Sequence, residues 1–151
     1  MLEYLKKILL GCDDKTLTAD NERKVQAAAC ALFIEMAKAD GNFTGEEKEE
    51  IISLMESLFN IDEEYAKELM QFAEADIKES ISYYEFTSIL DEAMSRDEKY
   101  EVIKSMWRII YMDNKLDKFE DQLVKRIGGM LNLDFREIIA AKLEVKKERN
   151  V

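Results

Sequence analysis

No proline occurs anywhere in the 151 residues, and glycine occurs only five times. Proline removes a helical hydrogen bond and clashes with the preceding turn, so a chain without it can run long helices uninterrupted. Apolar residues recur along most of this chain at i, i+3, i+4 and i+7, the period of an amphipathic helix. Together these features predict an all-α fold. At about 150 residues per domain the length predicts a single domain over 1–151, with its core over about 20–145 and a short amphipathic helix over 1–11. Apolar residues make up 47% and charged residues 36%, a composition that buries a core rather than staying disordered.

Eight helices can be placed by their stripes and starts. The first carries Leu2, Leu5, Ile8 and Leu9, stops at Gly11, and is followed by a polar link over 12–18. The second covers about 20–39 and shows Val25, Ala28, Ala29, Leu32, Phe33 and Met36 on one face. The third opens at Thr44-Gly45-Glu46-Glu47, a capping box in which the hydroxyl accepts from the third helical amide and the glutamate reaches back. The fourth opens near Asp62. The same spacing recurs at Ser82 with Glu85, Ser95 with Glu98, Asp117 with Glu120 and Asp134 with Glu137. Lys146, Lys147 and Arg149 suit the negative end of the last helix, and this tail is expected to fray. The expected architecture is one bundle of seven or eight helices, with Trp107 and Met36, Met55, Met70, Met94, Met106 and Met130 in or near the core. One ring of Tyr83-Tyr84 should point in and one out.

Histidine is absent and cysteine occurs only as Cys12 and Cys30. That excludes Ser-His-Asp and Cys-His catalysis, histidine zinc sites and thiolate clusters built from this chain alone. Cys30, inside an apolar helical stretch, reads as a small buried hydrophobe. With 22 basic and 33 acidic residues the net charge is −11, which argues against nucleic acid as a partner. No apolar run approaches the roughly 18 residues that cross a bilayer. MLEYLKKILLG lacks the continuous apolar core of a secretory signal, so a cytoplasmic location is expected.

A repeat concentrates the acidic residues. ALFIEMAKADGNFTGEEKEEIISLMESLFNID and SMWRIIYMDNKLDKFEDQLVKRIGGMLNLD each run from an apolar helix through an Asp to a capped helix, with a Glu seven positions after that Asp. Asp40 and Glu47 match Asp113 and Glu120, Phe43 matches Leu116, and Asn60-Ile61-Asp62 matches Asn132-Leu133-Asp134 one residue out of register. Two readings of these acids stand side by side. Glu47 and Glu120 fall at the third position of capping boxes, and Asp40 and Asp113 suit turn amides, so all four have structural work without a ligand. Carboxylates unaccompanied by imidazole or thiolate also select hard cations, Ca²⁺, Mg²⁺ or Mn²⁺. An EF-hand does not fit: counting from Asp40, position twelve is Ile51, and counting from Asp113 it is Val124.

AKADGNFTGEE and WRIIYMDNKLDKFE, with LDEAMSRDEKYEVIKSMW before the second, resemble the paired motifs of the TerB-like (tellurite-resistance protein B) family over about 25–141. The same helical domain resembles the N-terminal region of DjlA-type DnaJ co-chaperones. The resemblance implies an all-helical, non-enzymatic adaptor module of a bacterial stress-response or envelope-associated complex. Its partner would be a protein with a basic or membrane-associated surface. It also implies weak divalent-cation binding, with Asp40, Glu47, Asp113 and Glu120 as the metal-binding acids. Family members usually carry Asp-Gly where this chain has Asp113-Asn114; asparagine still tolerates the left-handed turn. The alternatives from other classes are a carboxylate-metal hydrolase using the same four acids and a purely structural interaction domain whose acids are helix caps.

Overall fold

The computed structural model describes residues 17–40, 43–76, 83–113 and 118–150. Every regular element among them is helical: α1 (Leu17–Ala37), α2 (Gly45–Phe59), α3 (Glu63–Asp76), α4 (Tyr83–Ala93), α5 (Arg96–Ile110), α6 (Lys118–Met130) and α7 (Phe135–Arg149), with 3-10 turns at Lys38–Asp40 and Tyr111–Asp113. The helix predicted over 1–11 and the starts expected at Ser82 and Asp117 lie outside the described residues.

Two boundaries differ from expectation. The second predicted helix begins at Leu17, inside the span read as a polar link, and tightens into 3-10 geometry after Ala37. Neither proline nor glycine lies between Thr16 and Gly41, so nothing local stops it earlier. The tail expected to fray is helical to Arg149, because Arg108 grips Glu148 through two bonds of 2.9 and 3.0 Å and Arg149 reaches Glu50 at 3.2 Å.

α1 is the hub. From Ala27 to Ile34 no residue is more than 2% exposed, because α2, α3, α4, α5 and α6 all pack on it. A helix apolar on every side can only be a central one. The small residues Ala27, Ala28, Ala29, Cys30 and Ala31 let its neighbours approach closely. α5 is the second hub: Val102, Ile103, Met106, Trp107, Ile109 and Ile110 are buried, each fully buried large side chain stabilising the fold by roughly 1.5–3 kcal/mol. The buried Trp107 Nε1 donates to the Ile138 carbonyl at 3.1 Å. All these residues join one core cluster. Of the six methionines expected there, Met36, Met55, Met70, Met94 and Met106 are buried; Met130 is half-buried and receives the Thr87 hydroxyl at 3.7 Å.

The contacts of the two hubs correspond. α1 packs on α2 and α3, α2 on α3, and α2 on α5; α5 packs on α6 and α7, α6 on α7, and α6 on α1. α4 lies on α1 and α6. Asn60 and Asn132, which enter α3 and α7, both adopt left-handed backbone at φ 53° and 62°. α5 and α7 run parallel, since Arg96 pairs with Glu137, Lys104 with Glu144 at 3.1 Å and Arg108 with Glu148, advancing together along both helices. No helix among the described residues is long and apolar enough to cross a membrane.

Candidate functional site

Each hub helix ends in a 3-10 turn whose last residue is one of the motif aspartates, Asp40 after α1 and Asp113 after α5. The side chains of Asp40 and Asp113 lie outside the described residues. The glutamates follow on the next helices, Glu47 in the first turn of α2 and Glu120 in the first turn of α6. The 3-10 turn that ends at Asp40 packs against α6, the helix that Glu120 helps to open. Elements from both motifs therefore adjoin.

Glu47 is held by its own helix start. Its Oε1 accepts from the Thr44 amide at 3.2 Å and the Thr44 hydroxyl at 3.1 Å, while the Glu47 amide donates to Thr44 Oγ1 at 3.1 Å. Ser95 and Glu98 make the same reciprocal box at 2.9 and 3.2 Å. Glu137 reaches back to the Asp134 amide at 3.1 Å and is also gripped by Arg96. Glu120 is buried, only 6% exposed, at the third position of α6, where the helix dipole favours a negative charge. Phe43, between Asp40 and Glu47, packs against the core and lies 5.7 Å from Lys38 Nζ and 5.3 Å from Lys48 Nζ; Lys48 also pairs with Glu74 at 2.9 Å. The first acidic turn is thus braced by an aromatic anchor flanked by two ammonium groups.

A second acid beside Glu120 is more strongly engaged than the motif predicts. Asp121 binds Lys125, four residues on, and Lys142 of α7 at 2.8 Å. Lys142 Nζ lies 5.2 Å from the centre of the Trp107 ring. Burial pushes the Asp121 carboxyl up, but the hydrogen bonds from Lys125 and Lys142 outweigh it and hold the carboxyl below its usual range. The i, i+4 spacing of Asp121 and Lys125 is visible in the sequence; the partner on α7 is not.

Among the described residues no group of three or more carboxylate or thiol side chains gathers to hold a metal ion. Cys30 offers no ligand: burial, then the nearby Glu74 charge, pushes its thiol up to about 12, so it stays protonated at neutral pH. Among the described residues the carboxylates of the acidic turns offer oxygen donors, which suit a hard cation. Tyr83 and Tyr84 divide as expected. Tyr83 is half-buried and donates to Glu35 Oε2 at 3.4 Å, while Tyr84 is 69% exposed.

The search of curated proteins found no match, and neither did the search of solved structures. The model of the family described as Tellurite resistance protein TerB matches residues 26–143. That span runs from the buried centre of α1 through both aspartate-ended turns to Leu143 of α7, most of the chain, and the protein belongs to the tellurite resistance protein TerB family.

Proposed function

We propose that this chain is a non-enzymatic adaptor module built by duplication of a helical unit, acting in a stress-response or envelope-associated assembly in the cytoplasm. Its acidic turns would bind a divalent cation weakly and meet a basic partner surface. The observation that supports this most directly is the packing of the Asp40 turn against α6, which carries Glu120, because it brings elements of both motifs together. Asp40, Glu47, Asp113 and Glu120 would hold the ion, and the all-oxygen donor set selects Ca²⁺, Mg²⁺ or Mn²⁺. The net charge of −11 would speed encounter with a basic surface at low salt.

A second reading rests on the Thr44–Glu47 box, in which the glutamate already has a structural task. Titration with each of the three cations, followed by amide NMR, separates the two. The adaptor reading expects ion-dependent shifts at Ala39, Phe43 and Lys118, lost in Asp40→Asn and Asp113→Asn variants that keep the wild-type melting temperature. Absence of shifts at millimolar metal removes ion binding. Capture of identical partner sets by wild type and the double variant removes any recognition role for the acids.

A further inference from the structure

The charges of α7 divide into two sets. All three of its acids are paired along the seam with α5: Glu137 with Arg96, Glu144 with Lys104 at 3.1 Å and Glu148 with Arg108 at 2.9 Å. Two of its cations are paired as well, Lys142 with Asp121 at 2.8 Å and Arg149 with Glu50 at 3.2 Å. The other three, Arg136, Lys146 and Lys147, pair with no acid among the described residues.

These three cations lie around an apolar row. Ile138, Ala141 and Val145 face the core, and Phe135, Ile139 and Leu143 stand four residues apart on the solvent side. Phe135 is 62% and Leu143 57% exposed; Ile139 between them is half-buried and outside the core cluster, and Ala140 beside them is exposed. At helical rise the row is about 12 Å long. Four-residue spacing makes the ridge that one helix sets into the groove of another, and Ala140 leaves room beside it for a backbone to approach. Arg136 and Lys147 border the row on one edge, and Lys146 continues it toward the end of the helix. Single exposed apolar side chains need no explanation, but three in register on one helix face, rimmed by charge of one sign, mark a contact surface.

The sign of the rim selects the partner. The chain as a whole carries −11, yet charges beyond roughly 8 Å are largely screened at physiological salt. A helix docked on the row therefore meets Arg136, Lys146 and Lys147 before the rest of the surface. An anionic bilayer would face far more of the acidic surface and calls for an apolar face wider than one row. A second copy docked symmetrically would bring the same cations against these.

We propose that the solvent face of α7 docks an acidic amphipathic helix of a partner protein, its apolar stripe set against Phe135, Ile139 and Leu143 and its carboxylates against Arg136, Lys146 and Lys147. This surface is separate from the acidic turns and opposite to them in sign, so it does not depend on whether those turns bind a cation.

The probe is a stapled helical peptide of about 14 residues, four turns long, with leucines along one face and glutamates on both edges. It is titrated into the full chain and followed by amide NMR. Shifts should centre on Arg136, Ile139, Ala140, Leu143 and Lys147. Leu143→Asp, and separately Arg136→Glu with Lys147→Glu, should each weaken binding by about tenfold or more. The melting temperature should stay, because all three side chains are exposed. A peptide with lysines in place of the glutamates should bind the wild-type chain about tenfold more weakly and regain affinity for the Arg136→Glu, Lys147→Glu chain. Asp40→Asn with Asp113→Asn should leave binding unchanged. No shifts at millimolar peptide, shifts centred on another face, equal affinity for the two peptides, or binding that survives Leu143→Asp would overturn the proposal. So would loss of binding in the Asp40→Asn, Asp113→Asn chain. Tighter binding to phosphatidylglycerol vesicles than to the peptide would overturn it in favour of a lipid contact, and self-association abolished by Leu143→Asp in favour of a second copy.

Discussion

Gly128 and Gly129 are adjacent in α6, yet an added methyl group would meet opposite surroundings. At Gly128 a Cβ would fall 2.5 Å from Cδ1 and 2.7 Å from Cγ1 of Ile138, a residue itself 3% exposed. At Gly129 nothing lies within 4 Å. Alanine at either position recovers helix propensity of about 0.8–1 kcal/mol. At Gly128 that gain is opposed by overpacking, which typically costs about 1–3 kcal/mol, because α6 and α7 approach through this position. Gly129→Ala should therefore raise the urea midpoint and Gly128→Ala should lower it, and Ile138→Val should reduce the Gly128→Ala penalty in a double-variant cycle. Equal effects at the two glycines would mean that α6 and α7 do not approach as closely as described. The sequence shows two neighbouring glycines and no difference between them; the difference belongs to Ile138, ten residues on and on another helix.

At the scale of elements, the features legible in advance are those whose chemistry closes within one turn. Thr44–Glu47 and Ser95–Glu98 form boxes as their spacing predicts, since both partners lie three residues apart on the same helix start. α1 was legible as a helix and less so as a hub. The stripe from Val25 to Met36 reads as one buried face, whereas the run from Ala27 to Ile34 is buried all round. Its small residues give weak periodicity, and only the packing of five other helices reveals the second face. The parallel α5–α7 seam was not legible, because Arg96, Lys104 and Arg108 find partners about 40 residues away. For the acidic motif, spacing located the two turns and capping chemistry explained Glu47, but the Asp121–Lys142 pair depends on α7. The burial of α1 carries a prediction. In a Cys12→Ser variant the remaining thiol, Cys30, is fully buried and its pKa is pushed up to about 12, so it should react with a thiol reagent only through unfolding. The opening free energy from labelling rates should equal the global value from urea denaturation. Labelling tenfold faster than that would show α1 opening by itself and would remove it from the centre of the core.

For the whole molecule, two electrostatic effects of opposite sign set the response to pH. A net charge of −11 makes the native state repel itself at neutral pH. Against this, Asp91, Asp121, Glu137, Glu144 and Glu148 all have carboxyls held below their usual range. Hydrogen bonds from Lys99 and Asn132 do this for Asp91, Arg96 for Glu137, Lys104 and Tyr100 for Glu144, and Arg108 for Glu148, whereas at Asp121 burial opposes the shift and the lysines overcome it. A carboxyl depressed in the native state contributes stability that is complete above its unfolded value, about 3.9 for Asp and 4.3 for Glu, and that disappears as pH falls through the native value. Between pH 7 and about 5 the paired carboxylates stay ionised in both states, so their contribution is complete and stability should hold over that interval, then fall below about pH 4 as the α5–α7 seam loses its charges. Added salt at pH 7 should raise the urea midpoint, because exposed ion pairs are individually worth little and the screened repulsion is collective. Urea midpoints measured across pH at two salt concentrations check both signs. A midpoint that drops with salt at pH 7 would mean that the pairs along α5 and α7 outweigh the repulsion of the entire surface.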